Sequence, residues 1–222
     1  MVSIAYFVQY MPVLPPDQKH VRQALQFLGP EALADILLHA TLVKVPAGEQ
    51  LLREGQYVRV IPIVLKGLMK VSTGDEDREL LLYYIQPGES CIMSLSACLM
   101  NHTSRVGAIT QDETEVLLIP VDKLQLWLKS YPNFYIMFFN LFNQRYTDLL
   151  DTIRHLVFDN LDERIYHYCQ QKLILTGHKY LKLSHRQIAQ DLGTAREVVS
   201  RVIKKLEKNN RIKQSKFGIE VI

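Results

Sequence analysis

LSHRQIAQDLGTAREVVSRVIKKLE, running from Leu183 to Glu207, contains two helix starts and a turn between them. Ser184 with Gln187, and Thr194 with Glu197, both fit the spacing in which a hydroxyl bonds the amide three residues on and a longer side chain reaches back. The spacing predicts two helices that begin ten residues apart. Gly193 can take the left-handed conformation a tight turn needs, Ala189 is small where the helices approach, and Val199 supplies a packing contact. One such capping box arises readily by chance. Two of them framing Ala-x3-Gly-x5-Val describe a helix-turn-helix.

Winding the second helix at about 100° per residue places Val198, Val199, Val202, Ile203 and Leu206 on one arc. The opposite arc gathers Arg196, Glu197, Ser200, Arg201, Lys204 and Lys208, so one face packs while the other is available to a major groove. A guanidinium fork can bond O6 and N7 of guanine together, and a carboxylate can accept from cytosine N4. Arg196, Glu197 and Arg201, with Ser200 beside them, are therefore the expected base readers, although Glu197 equally suits the role of cap partner. Ser184, Thr194, Lys204 and Lys208 are expected at phosphates. Further on, Arg211 to Ser215 and Ile219 to Ile222 read as two strands joined at Lys216-Phe217-Gly218, a wing whose Lys213 and Lys216 are also expected to meet phosphate.

The charge is distributed to match. The chain has 222 residues and a formal net charge of +3. From Phe158 to the end there are 13 Lys and Arg against 7 Asp and Glu, whereas the remainder is net acidic. A basic last third fits a polyanion-binding module, and equally a solvated lysine-rich face. Hydrophobic and charged contents of 48% and 22% belong to an ordinary globular protein. The apolar stretch Met1 to Leu14 is too short to span a bilayer and lacks a basic leader, so neither membrane anchor nor signal peptide is expected. Cys91, Cys98 and Cys169 are odd in number and have no CxxC spacing. No disulfide framework and no metal site are expected, and a reducing cytoplasm is the expected compartment.

Upstream, Gln18 to His39 carries helical apolar spacing broken near Gly29-Pro30, which predicts two short helices. From Thr41 to Pro120, short β-branched runs alternate with turn signals at Gly48, Gly55, Gly67, Gly74 and Gly88, the pattern of a β-sandwich or rolled barrel. After Pro120 the pattern becomes helical: Phe134, Phe138, Leu141, Arg145, Leu149, Thr152 and Leu156 recur at intervals of three and four. That row suits pairing with a second chain. It also suits packing on the chain's own β-roll, an alternative that Arg145 and Thr152 keep open. Asp159-Asn160 offers a cap before a further helix from Leu161 to Leu173.

The stretch Glu197-Val-Val-Ser200-Arg201 resembles the Glu-x-x-Ser-Arg reading motif of the fumarate-nitrate reduction regulator. Arg196-Glu197 with Arg201 resembles the Arg-Glu-x-x-x-Arg trio of the bacterial cyclic-AMP receptor protein. Val64-Leu-Lys-Gly67-Leu-Met-Lys-Val71 resembles the strand-Gly-strand hallmark of cyclic-nucleotide-binding β-rolls, and Gln86-Pro-Gly-Glu89 and Glu115 to Pro120 fall where that domain has its later turn and closing strand. The resemblance to this superfamily covers nearly the whole chain. It implies an α+β architecture: N-terminal helices and a sensor β-roll over 1–120, a central dimerisation helix over 121–157, and a winged helix-turn-helix over 158–222. It further implies a homodimer on a near-palindromic double-stranded DNA operator, with RNA polymerase as a further partner.

The departures concern the effector. The cyclic-AMP branch holds ribose and cyclic phosphate with Gly-Glu-Leu and, about ten residues on, Arg-Ser. Counting back from Glu115 places Ser104 at that arginine and Ile92-Met93 at the Gly-Glu pair, while Gly88-Glu89 and Arg105 imitate the cassette out of register. Cyclic AMP is not the expected effector. Nor is an iron-sulfur cluster, since no cysteine precedes Cys91. The expected ligand is an unknown small molecule, for which Glu89, Cys91, Met93, Ser104 and Arg105 are the pocket candidates. No nucleophile elbow, Walker loop, dinucleotide fingerprint or HExxH helix suggests an enzyme. The competing reading is a small-molecule or redox-binding β-roll whose DNA binding is vestigial.

Overall fold

The computed structural model describes residues 18–75, 78–158 and 160–222. The stretch Met1 to Leu14 and Asp159 lie outside them. Two compact units share the chain, one comprising Met1–Thr73 and Leu82–Thr147, the other Gly74–Leu81 and Asp148–Ile222.

In the first unit, α1 (Gln18–Leu25) runs through a single 3-10 turn into Gly29, and α2 (Pro30–His39) starts on Pro30, whose missing amide costs a first turn nothing. Among the described residues seven strands follow, the end of β4 and the start of β5 belonging to the second unit: β1 (Thr41–Val45), β2 (Gln50–Leu52), β3 (Val60–Lys66), β4 (Met69–Asp75), β5 (Arg78–Ile85), β6 (Gly107–Thr110) and β7 (Thr114–Pro120). They form one sheet in the order β1-β7-β3 and another in the order β2-β6-β4-β5. β7 is the middle strand of its sheet. Its apolar run Val116 to Ile119 is buried throughout rather than alternating, as in a strand covered on both faces. Pro62, which has no amide to give a ladder, sits in β3 at the edge.

Two helices in this unit were not legible as such. α3 (Ile92–Leu99) occupies the segment between β5 and β6, with Ile92, Ser94, Leu95, Ala97 and Cys98 buried. The segment 121–157, expected to be a single helix, divides into α4 (Val121–Ser130) and α5 (Pro132–Phe158). Pro132 causes the break. It drives Tyr131 to φ −120°, ψ 99°, outside the helical region.

The first part of the row expected to pair with another chain, Phe134 to Arg145, faces inward, whereas its Leu149 is exposed. Phe134, Met137, Phe138 and Leu141 are buried in the β-roll core, and an edge-to-face chain runs from Trp127 to Phe134 (5.8 Å) and on to Phe138 (5.2 Å). Arg145, next in that row, ion-pairs with Glu89 at 2.5 Å. Thr152 and Leu156 lie outside the residues whose side chains are described. Displaced by one position, Tyr135, Phe139, Phe142 and Tyr146 are exposed, and the stripe runs on through Leu149 of the expected row to Ile153, at intervals of four, three, four, three and four residues, all six exposed.

The second unit contains α6 (Leu161–Thr176), α7 (His185–Asp191), α8 (Arg196–Lys208) and the ribbon β8 (Ile212–Ser215) with β9 (Gly218–Val221). It also includes Gly74–Leu81, where Leu80 forms an antiparallel bridge with Leu192. Ile165, Cys169, Ile188, Val199, Val202, Ile203, Leu206, Ile212 and Ile219 make its core.

Candidate nucleic-acid interface

Each helix of the motif has a distinct start. Asn160 caps α6 by accepting from the Glu163 amide at 3.1 Å. Ser184 and Gln187 form the expected box at α7, with Ser184 Oγ accepting the Gln187 amide and Gln187 Oε1 accepting the Ser184 amide. The second box does not form. The residue at the head of α8 is Ala195, with no side-chain cap, and the helices begin eleven residues apart. Thr194 is still in the turn, its amide donating to the Ala189 carbonyl at 2.9 Å, so its hydroxyl is one position too early to cap. Gly193 holds φ at +62°, as the turn requires.

Packing orients α8. Val199 and Ile203 are fully buried and Val202 and Leu206 nearly so, while Arg196, Glu197, Arg201, Lys204 and Lys208 are all exposed. Ser200 is held instead. Its hydroxyl bonds the Arg196 carbonyl at 3.0 Å, and His185 Nδ1 stands 2.9 Å from Ser200 Oγ. His185 thus ties the start of α7 to the middle of α8, a role the sequence reading missed. Tyr168 adds a second tie, donating to the buried Asp191 carboxylate at 2.7 Å, and Arg164 a third, donating to the Leu192 carbonyl at 3.2 Å.

The wing is braced against α8 through Glu207, which accepts from the Gln214 amide at 2.9 Å and from its side chain at 3.1 Å. Those bonds hold the Glu207 carboxyl below its ordinary range. Arg211 is occupied within the unit, paired with Glu163 at 2.5 Å and stacked 3.7 Å over the Tyr166 ring. Lys213 and Lys216 are exposed on the ribbon.

In the β-roll, Glu89, Cys91 and Met93 come together with Tyr83 and Arg145. Glu89 accepts from Arg145 at 2.5 Å, from Gln144 at 3.1 Å and from the Gln86 amide at 2.9 Å. The Arg145 guanidinium lies 4.5 Å from the Tyr83 ring centre, and the Tyr83 hydroxyl 3.7 Å from Cys91 Sγ. Burial pushes the Tyr83 phenol far up. Ser104 is buried with its hydroxyl donating to the Val106 carbonyl at 2.9 Å, and Arg105 is exposed. The Arg105 carbonyl accepts from the Thr73 hydroxyl at 3.3 Å. Desolvation raises the Cys98 thiol and pushes Cys169 up to about 12, which disfavours a reactive thiolate at either. Among the described residues there is no group of three or more His, Cys, Asp or Glu placed to hold a metal ion, and no helix is long and apolar enough to cross a membrane.

Comparison with known proteins agrees with this architecture. Residues 42–131 match the cyclic nucleotide-binding domain family, and residues 163–222 match the Crp-like helix-turn-helix domain. The cAMP-activated global transcriptional regulator CRP of Haemophilus influenzae is 26% identical over 185 residues, covering 79% of this chain and 81% of that protein. Two solved structures share the fold. A Crp/Fnr-family transcriptional regulator from Eubacterium rectale superposes with a TM-score of 0.76 at 20% identity, over 87% of this chain and 90% of its own. The c-di-GMP-responsive global regulator CLP of Xanthomonas campestris gives 0.75 at 20% identity, over 86% and 98%. With a cyclic nucleotide-binding domain followed by a Crp-like helix-turn-helix, the chain belongs to the Crp/Fnr superfamily of transcription regulators.

Proposed function

We propose that the protein acts as a homodimer that reads a near-palindromic duplex operator through α8, under the control of an effector other than a cyclic nucleotide. The observation that carries the DNA reading is the division of α8, with Val199, Val202, Ile203 and Leu206 inside and Arg196, Glu197 and Arg201 outside. Those three exposed side chains are the base readers in this proposal, with Lys204, Lys208, Lys213 and Lys216 at phosphates. Ser184 and Thr194 approach the backbone from the head of α7 and from the turn. Ser200 is a positioning residue, since its hydroxyl is engaged by His185 and the Arg196 carbonyl.

The exposed row Tyr135, Phe139, Phe142, Tyr146, Leu149 and Ile153 supports dimerisation, because a helix with that spacing leaves an apolar stripe that a second copy covers. The effector reading rests on Ser104, at the family's phosphate-arginine position, with its hydroxyl bonded to its own chain. Burying a cyclic phosphate there without a cation is costly. An unidentified small molecule at the Glu89, Cys91 and Met93 cluster, RNA polymerase as partner and a cytoplasmic location complete the proposal.

Competition binding at a stated salt concentration tests it. The full-length protein is expected to prefer a duplex it has itself selected over an unrelated duplex of equal length by about a thousandfold or more. Equal affinity for the two would leave a polyanion-binding protein without sequence reading and would overturn the proposal.

A further inference from the structure

The wing ends in an aromatic pair for which the recognition helix has no use. Phe217, at the tip of the turn between β8 and β9, keeps 53% of its surface exposed. Its ring leans on that of Tyr180, with centres 5.7 Å apart and planes at 35°. Reciprocal amide-to-carbonyl bonds between Leu181 and Ile219, at 2.8 and 3.0 Å, lash the segment bearing Tyr180 to β9. Gly218 makes that approach possible. At φ +128° a Cβ there would stand 2.5 Å from the Leu181 carbonyl oxygen. Ser215 braces the turn by accepting from the Phe217 amide at 3.1 Å and donating to the Gly218 carbonyl at 3.2 Å. A large apolar ring is therefore held out in water on a fixed mount.

Cations surround it. Lys216 Nζ lies 5.2 Å from the Phe217 ring centre, Lys179 Nζ lies 5.4 Å from that of Tyr180, and Lys213 is exposed on the same ribbon. Glu220, the one carboxylate of the ribbon, is paired with Lys179 at 3.3 Å. Four residues of β8, roughly 13 Å of strand, separate this tip from the end of the link to α8.

We propose that Phe217, backed by Tyr180, is a minor-groove wedge for the duplex beside each half-site. A duplex meets both parts of the chemistry: phosphates take the lysines, and a base step that opens part-way takes the ring. Pyrimidine–purine steps open at least cost, so the wedge adds sequence preference at positions α8 does not touch. The inference rests on the reading of α8 as the element in the major groove.

Full-length wild type and variants are used to select duplexes from a library randomised through both centre and flanks. Wild type is expected to enrich a central motif together with flanking pyrimidine–purine steps. Phe217→Ala is expected to enrich the same motif with random flanks, to bind the wild-type-selected duplex about tenfold more weakly, and to bend it less in a mobility assay. Its salt dependence stays unchanged, because no charge is lost. Phe217→Gln, a second exposed replacement, gives the same loss, and Phe217→Trp restores the flanks. A Phe217→Ala protein with wild-type flank enrichment and bending overturns the wedge and leaves α8 as reader. Failure of wild type to enrich any central motif overturns the reading of α8 and the wedge with it.

Discussion

Arg201 and Lys204 stand three residues apart on one exposed arc, and the proposed reading gives them different work. A guanidinium that bonds guanine at two points contributes about 1 to 3 kcal/mol of discrimination, whereas an ammonium at phosphate contributes affinity for every sequence alike. Arg201→Ala is therefore expected to flatten preference at one position of each half-site while leaving non-specific binding nearly intact. Lys204→Ala or Lys208→Ala is expected to weaken all duplexes and to lower the salt slope by about one unit. Selected-sequence binding on the three variants separates the roles. The periodicity of α8 made its exposed face legible, because it distinguishes two arcs, one buried and one open to solvent. It did not reveal that Ser200 is engaged. His185 lies fifteen residues away on another helix, and only the fold brings its ring to that hydroxyl. Thr194 went astray for a simpler reason: it has the right side chain for a cap, but the turn runs one residue longer than the motif suggests.

Within elements, α5 shows why a correct helix can be given the wrong face. Both Phe134-Phe138-Leu141 and Tyr135-Phe139-Phe142 are apolar rows, and spacing alone gives no reason to prefer one. The structure decides through Trp127 and Glu89, neither adjacent in sequence: the first takes Phe134 edge-on and the second takes Arg145. The two rows consequently respond differently to mutation. Phe138→Ala leaves a hole in the β-roll core and is expected to cost about 3 to 5 kcal/mol in denaturant unfolding. Phe139→Glu with Phe142→Glu is expected to fold with wild-type stability per chain and to sediment as a monomer. A dimeric double variant would place the interface elsewhere. The buried Arg145–Glu89 pair belongs at this scale too. Glu89→Ala removes the carboxylate that pairs with a guanidinium of 8% side-chain exposure, and a stability loss of about 3 kcal/mol is expected in the same unfolding measurement.

For the molecule as a whole, the order of pattern changes along the chain was enough to give a β-sandwich or rolled barrel followed by a helix and a winged helix-turn-helix, and the family resemblance narrowed the first to a β-roll. Strand-rich runs, helical spacing and a late basic segment each carry their own signal. What escaped was α3, whose small and sulfur-bearing residues, Ser94, Ser96, Ala97 and Cys98, show neither strand alternation nor a clear helical stripe. The identity of the effector escaped for a deeper reason, since a pocket is built from residues distant in sequence and only a departure from a known cassette could be seen. Ser104 is that departure. Calorimetry with cyclic AMP and cyclic GMP is expected to give no specific heat, and micromolar binding that survives physiological salt would contradict the role assigned to Ser104.

Paired reading of DNA is the centre of the account, and the arrangement of the motif that the full-length protein selects from random duplexes tests it most directly. Two copies joined along α5 should present their α8 helices to successive major grooves, about 34 Å apart. The expected result is two inverted half-sites with centres one helical turn apart, bound by two chains per duplex. A single unpaired half-site bound by one chain, or no enriched motif at all, would contradict it.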